Sequence, residues 1–530
     1  MIDLRWCYEN QNDDWNLERT LHISYIAASQ HLAYIFAMMP RKRARANSEE
    51  QPVKKMSIAL ESILALSSHD SLTANESTDV LPADVEAFFQ DTWQRKPQLY
   101  RSNDSRKNNR NCKFQSPENN DNPINCAISM GWDGYIAVLH NSRTLFEGTK
   151  ESEVSPPLIF RNQQPLELEE ILTSYNNNPF AAYLDGCSIV QNHADLLCPL
   201  LSKLAVDLQQ SFPHVYINTY LTPPRASAVK AHADDRDVFV LQLEGEKHWT
   251  VYPDPPIIYP YPHEQVGKQP SLPVPTATMQ SDPLFKTTLR KGDVLYMPRG
   301  YVHEAKTDSN LPSLHATIAI ATHDWSLSCT ITQLIRSRFD QVPDFRMAIS
   351  PQFGKQELVE VSKDERKKLS CEIDRALNLV KESLTVESIA SFLGSKYQKH
   401  NTRASKVRDR FIQMFDSKKV GESSYLAGPE AAFHVRMNTK VRASTPAERN
   451  DVQGISKGSM GLTVRDDYDI STSLLSILSY LKSNPSASCK IKDFGLVMEK
   501  NKDSPLICDL TLYAFAQCCI ELGAMAIVPE

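Results

Sequence analysis

Two histidines and one aspartate have the types and the spacing that a metal centre requires. His232 and Asp234 stand two residues apart, just before an apolar run at 238–243 that is typical of a β-strand. Side chains two apart on a strand point to the same face, so this imidazole and this carboxylate would project together. His303 ends the turn–strand–turn segment 291–303, which would deliver a third ligand from a later strand. Two histidines and one carboxylate leave positions on Fe(II) open for a 2-oxo acid and O₂. The sequence therefore predicts these three residues as metal-ligating, catalytic residues.

The chain contains a second histidine-x-aspartate triplet, His193 and Asp195, in a different context. This triplet opens a leucine-rich run, 196–208, which has the periodicity of an amphipathic helix. Residues two apart on a helix point about 200° apart, so they cannot both face one metal ion. We therefore interpret them as surface and helix-start residues. His303 by itself is more typical of a core or loop histidine, and only its place in series with the other two ligands favours a metal role.

A lysine near these ligands predicts an anionic ligand. Lys247 lies fifteen residues after His232 and begins a strand at 247–252, on the face that carries apolar side chains. A lysine on an apolar face is costly unless its charge is paired, and the far carboxylate of 2-oxoglutarate would provide the partner. The alternative is a hairpin lysine that points to water. Asn218 and Tyr220, on the preceding strand, could hydrogen-bond the same cosubstrate or be ordinary strand residues.

The elements that would position these residues are short strands separated by glycine and proline. Short strands with frequent turn signals are typical of a β-sandwich or barrel, and a proline-rich stretch at 253–283 is predicted to be a long loop on its surface. The predicted strands are 215–221, 238–243, 249–252, 294–297 and 315–321. Helical patterns occur on both sides, at 85–93, 196–208, 331–335, 369–386, 471–481 and 512–522.

Bulk composition limits the other classes of function. A length of 530 residues predicts two to four structural units, and 41% of the residues are hydrophobic. The net charge of −6 predicts no strong direct binding of nucleic acid. Eleven cysteines without a CxxC pair favour reduced thiols in the cytosol or nucleus. No segment has the pattern of a membrane span or a signal peptide. A basic run at 41–45, followed by Lys54 and Lys55, is either a nuclear localisation signal or a solvated tail.

Four stretches around the candidate ligands carry a specific pattern. They are 218–223, 232–235, 238–249 and 292–305. Their combination of the triplet, the lysine spacing, the following His-Trp pair and the Pro-Arg-Gly turn resembles the JmjC ribosomal oxygenases, densely over residues 215–320. A weaker match covers Phe89, Trp93, Lys96 and Pro97, which are similar to an N-terminal element of that family.

The resemblance implies an α+β fold: a double-stranded β-helix (JmjC, cupin-like) core with N-terminal helices, a helical dimerisation region and a C-terminal winged-helix-like domain. We expect a disordered, basic N-terminal region over 1–80. The oxygenase domain would cover 81–325 with an insertion near 101–130, the dimerisation region 326–425, and the winged-helix-like domain 426–530.

The resemblance also implies an activity. Such enzymes are Fe(II)- and 2-oxoglutarate-dependent dioxygenases that hydroxylate a histidine of a large-subunit ribosomal protein, and histone-lysine demethylation has been attributed to them. The expected partners are therefore a ribosomal protein, histone H3 as an alternative substrate, and a second copy of the chain, in the nucleus and its nucleolus. A catalytically silent JmjC scaffold is the remaining alternative. The chain departs from the family at Ala319, where relatives carry a serine beside the cosubstrate, and at 101–130, which has no clear counterpart.

Overall fold

An antiparallel double-stranded β-helix forms the centre of the chain in the computed structural model. The structure describes residues 57–68, 85–102, 122–148, 155–307, 311–355, 360–417, 435–445, 470–484, 487–495 and 507–528. The strands are β1 Ser67–Ser68, β2 Gln98–Arg101, β3 Leu158–Arg161, β4 Gln164–Pro165, β5 Ser188–Gln191, β6 Val215–Thr222, β7 Asp237–Glu244, β8 Lys247–Val251, β9 Phe285–Leu289, β10 Val294–Met297, β11 His303–Lys306, β12 Ser313–Ile320, β13 Lys440–Ala443, β14 Cys489–Lys490 and β15 Met525–Ile527. The helices are α1 Ile58–Leu64, α2 Val85–Ala87, α3 Pro123–Ser129, α4 Gly131–Gly148, α5 Leu168–Tyr175, α6 Pro179–Leu184, α7 Pro199–Leu208, α8 Thr276–Gln280, α9 Leu327–Phe339, α10 Gln352–Lys355, α11 Lys363–Ser383, α12 Val386–Ser417, α13 Ile470–Ser483 and α14 Asp509–Glu521.

Two sheets make up the β-helix. The large sheet has the order β1-β2-β10-β7-β12-β6-β5-β3-β4, and the small sheet has the order β11-β8-β9. The five strands predicted from the sequence correspond to β6, β7, β8, β10 and β12, so those predictions are confirmed with small differences at the ends. The sequence did not predict β2, β3, β5, β9 or β11, which are short or carry few apolar residues.

The space between the two sheets holds the apolar side chains that surround the candidate site. Along β7, Val238 and Val240 join the cluster between the sheets, whereas Phe239 and Leu241 pack on the opposite side with the helices. Both faces of β7 are therefore buried, which explains why its sequence is a continuous apolar run rather than an alternating one.

The predicted helix at 85–93 is present as α2 followed by a π-helical turn, Phe88–Thr92. Its aromatic side chains pack on the outer face of the large sheet. Phe88 lies 6.0 Å from Phe239 and 5.4 Å from Tyr296 between ring centroids, and Trp93 stacks on Tyr296 at 5.7 Å. The N-terminal element is thus anchored to the strands that carry the site.

The prediction of a disordered region over 1–80 is wrong for residues 57–68; its other residues lie outside the described ones. Helix α1 buries Ala59, Leu60 and Ile63 completely. The Ser57 hydroxyl donates to Asp207 Oδ2 at 2.6 Å, which joins the start of α1 to α7. The polar composition around α1 masked a short amphipathic helix whose apolar face needs the rest of the fold to cover it.

The prediction of a surface insertion near 101–130 is wrong at both ends of that range, while 103–121 lies outside the described residues. Arg101 belongs to β2, and residues 123–129 form α3, which begins with Asn122 as its N-cap and Pro123 in its first turn. The side chains of Ile124 and Ala127 are buried against the core. A few apolar residues are enough to form the buried face of α3, because they recur at helical spacing.

The described residues between 326 and 417 are mainly helical, as predicted, through α9, α11 and α12. The C-terminal part contains α13, α14 and a three-stranded sheet in the order β14-β13-β15. Whether these regions act as a dimerisation region and a winged-helix-like domain stays a prediction. Within the described ranges, none of the helices combines the length and the apolar character needed to cross a membrane.

Helix α14 is buried against the N-terminal helices rather than forming a separate core. Arg143 of α4 pairs with Glu521 at 2.6 Å, and both side chains are buried. His140 Nε2 lies 2.6 Å from the Tyr513 hydroxyl, and burial together with nearby arginines lowers the pKa of this histidine to about 3. One hydrophobic cluster therefore includes both parts of the chain.

Candidate metal centre

The structure brings together the three predicted metal ligands. His232 and His303 lie opposite each other and exchange two backbone hydrogen bonds, of 3.1 and 2.9 Å. Asp234 Oδ1 is 3.8 Å from His232 Nε2, and Asp234 Oδ2 is 3.7 Å from His303 Nε2. All three ligand atoms lie within 4.8 Å of one another. The backbone pairing fixes how far apart the two imidazoles can be.

Hydrogen bonds on the far side of each ring fix which nitrogen is free. His232 Nδ1 lies 2.7 Å from the carbonyl of Lys230, and His303 Nδ1 lies 3.1 Å from the carbonyl of Tyr301. A carbonyl can only accept, so Nδ1 carries the hydrogen in both rings and Nε2 presents its lone pair to the centre. Burial, with His303 and Lys268 nearby, lowers the pKa of His232 to about 3, and burial also lowers the pKa of His303. Both rings are therefore neutral and ready to bind a cation.

A segment of the proline-rich loop, Val266-Gly267-Lys268, contacts the ligand segment, which is the stretch 232–234 just before β7 that carries His232 and Asp234. The Val266 carbonyl accepts from the amide of Ala233 at 2.9 Å. Gly267 has φ +82°, and a Cβ there would lie 2.9 Å from the His232 Cα. We call this segment the loop clamp. Its backbone contacts hold the ligand segment against the long loop.

Lys268, the last residue of the loop clamp, contacts a metal ligand directly. Its Nζ lies 2.5 Å from Asp234 Oδ1. Burial would raise the pKa of Asp234, but Lys268 beside it holds that pKa well below its usual range. Lys268 was not predicted from the sequence, because it stands thirty-four residues from Asp234 in a loop without periodicity.

A small cavity opens from the three ligands into the space between the sheets. Lys247 lines this cavity and is only 2% exposed, so the alternative of a lysine that points to water is wrong. Its Nζ donates to the Thr222 hydroxyl at 2.8 Å. Among the described residues no carboxylate pairs with it, and burial lowers the pKa of Lys247 to about 7. The cavity thus contains a buried amine that an anion would stabilise.

Three aromatic rings form the wall of the cavity beside this lysine. Tyr220 and His315 stack with their ring centroids 4.9 Å apart and their planes 5° apart. Trp249 meets His315 edge-on at 5.5 Å. The prediction that Tyr220 lies at the site agrees with its place in the cavity lining, whereas His315 was missed. The alternation along β12, which places His315 on the same face as Thr317 and Ala319, was the signal that could have identified it.

Asn218 makes a hydrogen bond within the protein. Its Oδ1 accepts a hydrogen bond from the amide of His193 at 3.0 Å. The described residues that line the cavity include its strand neighbour Tyr220 but not Asn218. As a cosubstrate ligand it stays a prediction. Ala319, where the family pattern has a serine, is buried among the apolar side chains between the sheets.

The second triplet is structural, and the prediction that Asp195 is a surface residue is wrong. Asp195 is 2% exposed in a 3₁₀ turn, Ala194–Leu196, and accepts a hydrogen bond from the amide of Ile217 at 2.9 Å. It also pairs with Arg408 of α12 at 3.1 Å. A buried carboxylate needs such partners. Sequence spacing could not show them, because Arg408 is 213 residues away.

The donor set fits a non-haem Fe(II) ion. Two neutral imidazoles and one carboxylate supply three ligand atoms on one side, and the cavity lies on the other. This is the ligation in which open positions remain for a cosubstrate and O₂. Among the described residues, no other group of histidine, cysteine or acidic side chains is arranged to hold a metal ion.

Comparisons with known proteins define the class. A model of the JmjC domain family matches residues 201–327. This part of the chain is therefore similar to JmjC domains, and the double-stranded β-helix in it is the cupin-like fold that the sequence predicted.

Relatives extend the comparison but only over part of their length. The bifunctional lysine-specific demethylase and histidyl-hydroxylase NO66 of Drosophila persimilis is 38% identical over 143 residues, which are 26% of this chain and 19% of the relative. The NO66 protein of Dictyostelium discoideum is 38% identical over 138 residues, 26% of each chain. This chain therefore spans about a seventh to a quarter of the length of the curated relatives it matches.

The similar solved structures share less sequence identity with this chain than these relatives do. The Escherichia coli ribosomal oxygenase YcfD aligns over 84% of this chain and 98% of its own, with 14% identity and a TM-score of 0.33. A structure of YcfD with cobalt and 2-oxoglutarate aligns over the same shares, with 15% identity and a TM-score of 0.32.

Proposed function

We propose that this protein is an Fe(II)- and 2-oxoglutarate-dependent dioxygenase that hydroxylates a histidine side chain of a large-subunit ribosomal protein. The observation that carries the proposal is one cavity with two complementary ends. At one end are His232, Asp234 and His303, which are arranged to bind a divalent metal. At the other end is Lys247, a buried amine without a carboxylate partner among the described residues. A dicarboxylate that chelates a metal through its keto acid end would satisfy both.

When bound, Fe(II) and 2-oxoglutarate would supply oxidative decarboxylation of the cosubstrate and the activation of O₂ for attack on a C–H bond. The residues of the chain bind and orient the metal and the cosubstrate. The two histidines present Nε2 to the metal because their Nδ1 atoms are held by backbone carbonyls. Lys247 pairs with the far carboxylate, and apolar side chains such as Val238 and Met297 exclude water from the cavity.

The experiment is a coupled measurement of succinate and of substrate mass. Peptides of large-subunit ribosomal proteins are incubated with enzyme, Fe(II) and 2-oxoglutarate, and the expected product is a histidine that has gained the mass of one oxygen atom. Asp234→Ala should abolish succinate formation, while Asp282→Ala, which removes an exposed carboxylate from the proline-rich loop, should not. Full succinate formation by Asp234→Ala would contradict the proposal.

A second candidate activity is demethylation of histone H3 lysine, because the name of the NO66 relatives includes lysine-specific demethylase. Hydroxylation of a methyl group on nitrogen releases formaldehyde, whereas hydroxylation of a histidine does not. Formaldehyde release from methylated histone H3 peptides, without mass gain on ribosomal peptides, would favour demethylation. Neither product in the presence of correctly loaded metal would favour a silent scaffold.

We also propose that the helical region 326–425 forms a homodimer. Apolar side chains on this region are exposed, including Met347 at 68%, Ile373 at 50% and Leu377 at 52%. Ile373 and Leu377 are one helical turn apart on α11, so they form a continuous apolar strip. Ile373→Glu should halve the mass measured by light scattering. Leu172→Glu, a similarly exposed leucine on α5, is the control that should leave the mass unchanged.

We propose a nuclear, nucleolar location on the basis of the basic run at 41–45, which lies outside the described residues. Replacing Arg41, Lys42 and Arg43 by alanine in a fluorescent fusion should move the protein out of the nucleus. An unchanged nuclear signal would contradict this assignment.

A further inference from the structure

His315 is held rigidly in the wall of the cavity. It lies directly opposite Tyr220 in the pairing of β12 with β6, and the two rings stack nearly parallel. Trp249 closes its other side, and His315 is 2% exposed. A ring packed in this way cannot turn to find a new partner, so its hydrogen-bonding groups stay where the fold places them.

His315 lies close to the amine of Lys247. The Lys247 Nζ contacts the hydroxyl of Thr222, and Thr222 is the next residue on the same face of β6 as Tyr220. Same-face residues on a strand are about 7 Å apart, so the amine lies beside the stacked pair. Burial and the nearby Lys247 hold the pKa of His315 well below its ordinary value. The imidazole is therefore neutral and carries one N–H.

Two buried ring nitrogens at this end of the cavity lack a hydrogen-bond partner, and a buried amine lies beside them. Among the described residues, Nδ1 of His315 and Nε1 of Trp249 are buried without a hydrogen-bond partner. In the same described part of the chain, Lys247 has the Thr222 hydroxyl as its hydrogen-bond acceptor and no carboxylate. A buried polar atom left without a partner is unfavourable, and two such atoms beside a buried amine that has no carboxylate indicate a ligand that brings hydrogen-bonding oxygens.

We propose that His315 is a second residue that binds the far carboxylate of the cosubstrate, beside Lys247, and that it sets the selectivity of the cavity for 2-oxo dicarboxylates over 2-oxo monocarboxylates. This rests on the proposed function, because it takes 2-oxoglutarate as the cosubstrate. One carboxylate has enough lone pairs to accept from both the ammonium and the imidazole. Lysine alone neutralises the charge of the carboxylate, whereas two hydrogen-bond donors also fix the direction in which the carboxylate points.

A purely structural role for His315 makes a different prediction. If the ring served only to stack on Tyr220, phenylalanine would replace it, since the shape and the aromatic face are kept. His315→Phe therefore separates hydrogen bonding from packing. His315→Gln loses the ring but keeps an amide donor, and it should recover part of the affinity.

The experiment measures binding directly, by calorimetry, with Mn(II) in place of iron so that no turnover occurs. The ligands are 2-oxoglutarate and 2-oxopentanoate, which has the same chain length and no far carboxylate. His315→Phe should weaken 2-oxoglutarate binding by about 10- to 100-fold, the range for a hydrogen bond to a charged group. Binding of 2-oxopentanoate and the thermal unfolding midpoint should stay close to those of the wild type. Lys247→Met should show the same selective loss.

The outcomes distinguish this proposal from the broader one. If wild-type protein binds 2-oxoglutarate and His315→Phe binds it equally well, the role of His315 is refuted while the proposed function stands. An equal loss of both ligands in His315→Phe would likewise refute selectivity and indicate a packing role. If wild-type protein with Mn(II) binds no 2-oxoglutarate, both proposals fall.

Discussion

Gly267 of the loop clamp lies against the backbone of the ligand segment, and replacing it by alanine should impair both stability and metal binding. Its φ of +82° is in a region that costs an alanine about 1–2 kcal/mol. The new Cβ would lie 2.4 Å from the carbonyl oxygen of Ala231 and 2.9 Å from the Cα of His232. Overpacking of this kind typically costs about 1–3 kcal/mol, so the sum is about 2–5 kcal/mol of unfolding free energy. Because the new Cβ would overlap with backbone atoms, removing the overlap must move the ligand segment.

The assay is urea unfolding combined with titration of Mn(II). We expect Gly267→Ala to lower the unfolding midpoint and to weaken metal binding by about 10- to 100-fold, the usual effect of disturbing groups that orient ligands. Gly394→Ala is the matched control. Gly394 lies inside α12, and a Cβ at this position would meet no atom of the described residues within 4 Å, so alanine there should stabilise by about 0.5–1 kcal/mol. If Gly267→Ala matched the wild type in both measurements, the loop clamp would not determine the position of the ligand segment.

Two further predictions concern buried charges. The pKa of Lys247 is about 7 in the folded protein against an ordinary 10.5, so in the absence of an anionic ligand folding releases a proton between these values and stability rises with pH. Lys247→Met should therefore be more stable than the wild type below about pH 7, by about 1.4 kcal/mol per unit of pKa difference at most, and this advantage should disappear near pH 10 in urea unfolding experiments. A constant difference at all pH values would contradict the reasoning. Arg408→Met should cost about 3–5 kcal/mol of unfolding free energy, because it leaves Asp195 buried without its partner. Arg375→Met, which removes an exposed pair with Asp344, should cost much less because solvent screens the pair, and equal losses would show that burial is not the cause.

The sequence was most informative where chemistry and periodicity coincide. Val238 and Val240 lie on a strand whose apolar run has no competing interpretation, and the triplet just before it needed only strand geometry to place two ligands together. Lys247 stood out because a lysine on an apolar face is physically costly. These predictions depend on local rules that hold in any fold.

Other features depend on partners that only the folded chain brings together. Lys268 lies in a loop without periodicity, and its contact with Asp234 depends on the path of the whole loop. Asp195 resembled a surface residue because its partner, Arg408, comes from a helix far along the chain. Helix α1 was hidden by polar neighbours, since three buried residues are too few to define a pattern alone. Composition describes a segment's average environment, whereas burial is decided residue by residue.

The burial of α14 against α4 and α6 has a consequence for how the chain is made. His140 and Tyr513 are neighbours in space and are separated by 373 residues in the chain. At about 5–20 residues per second, a ribosome needs about 20–75 s to reach Tyr513 after it has finished His140. During that interval the apolar faces of α4 and α6 lack the helix that covers them. Folding of this region therefore waits until Glu521 has been synthesised, and the nascent chain presents a natural binding site for chaperones during that interval.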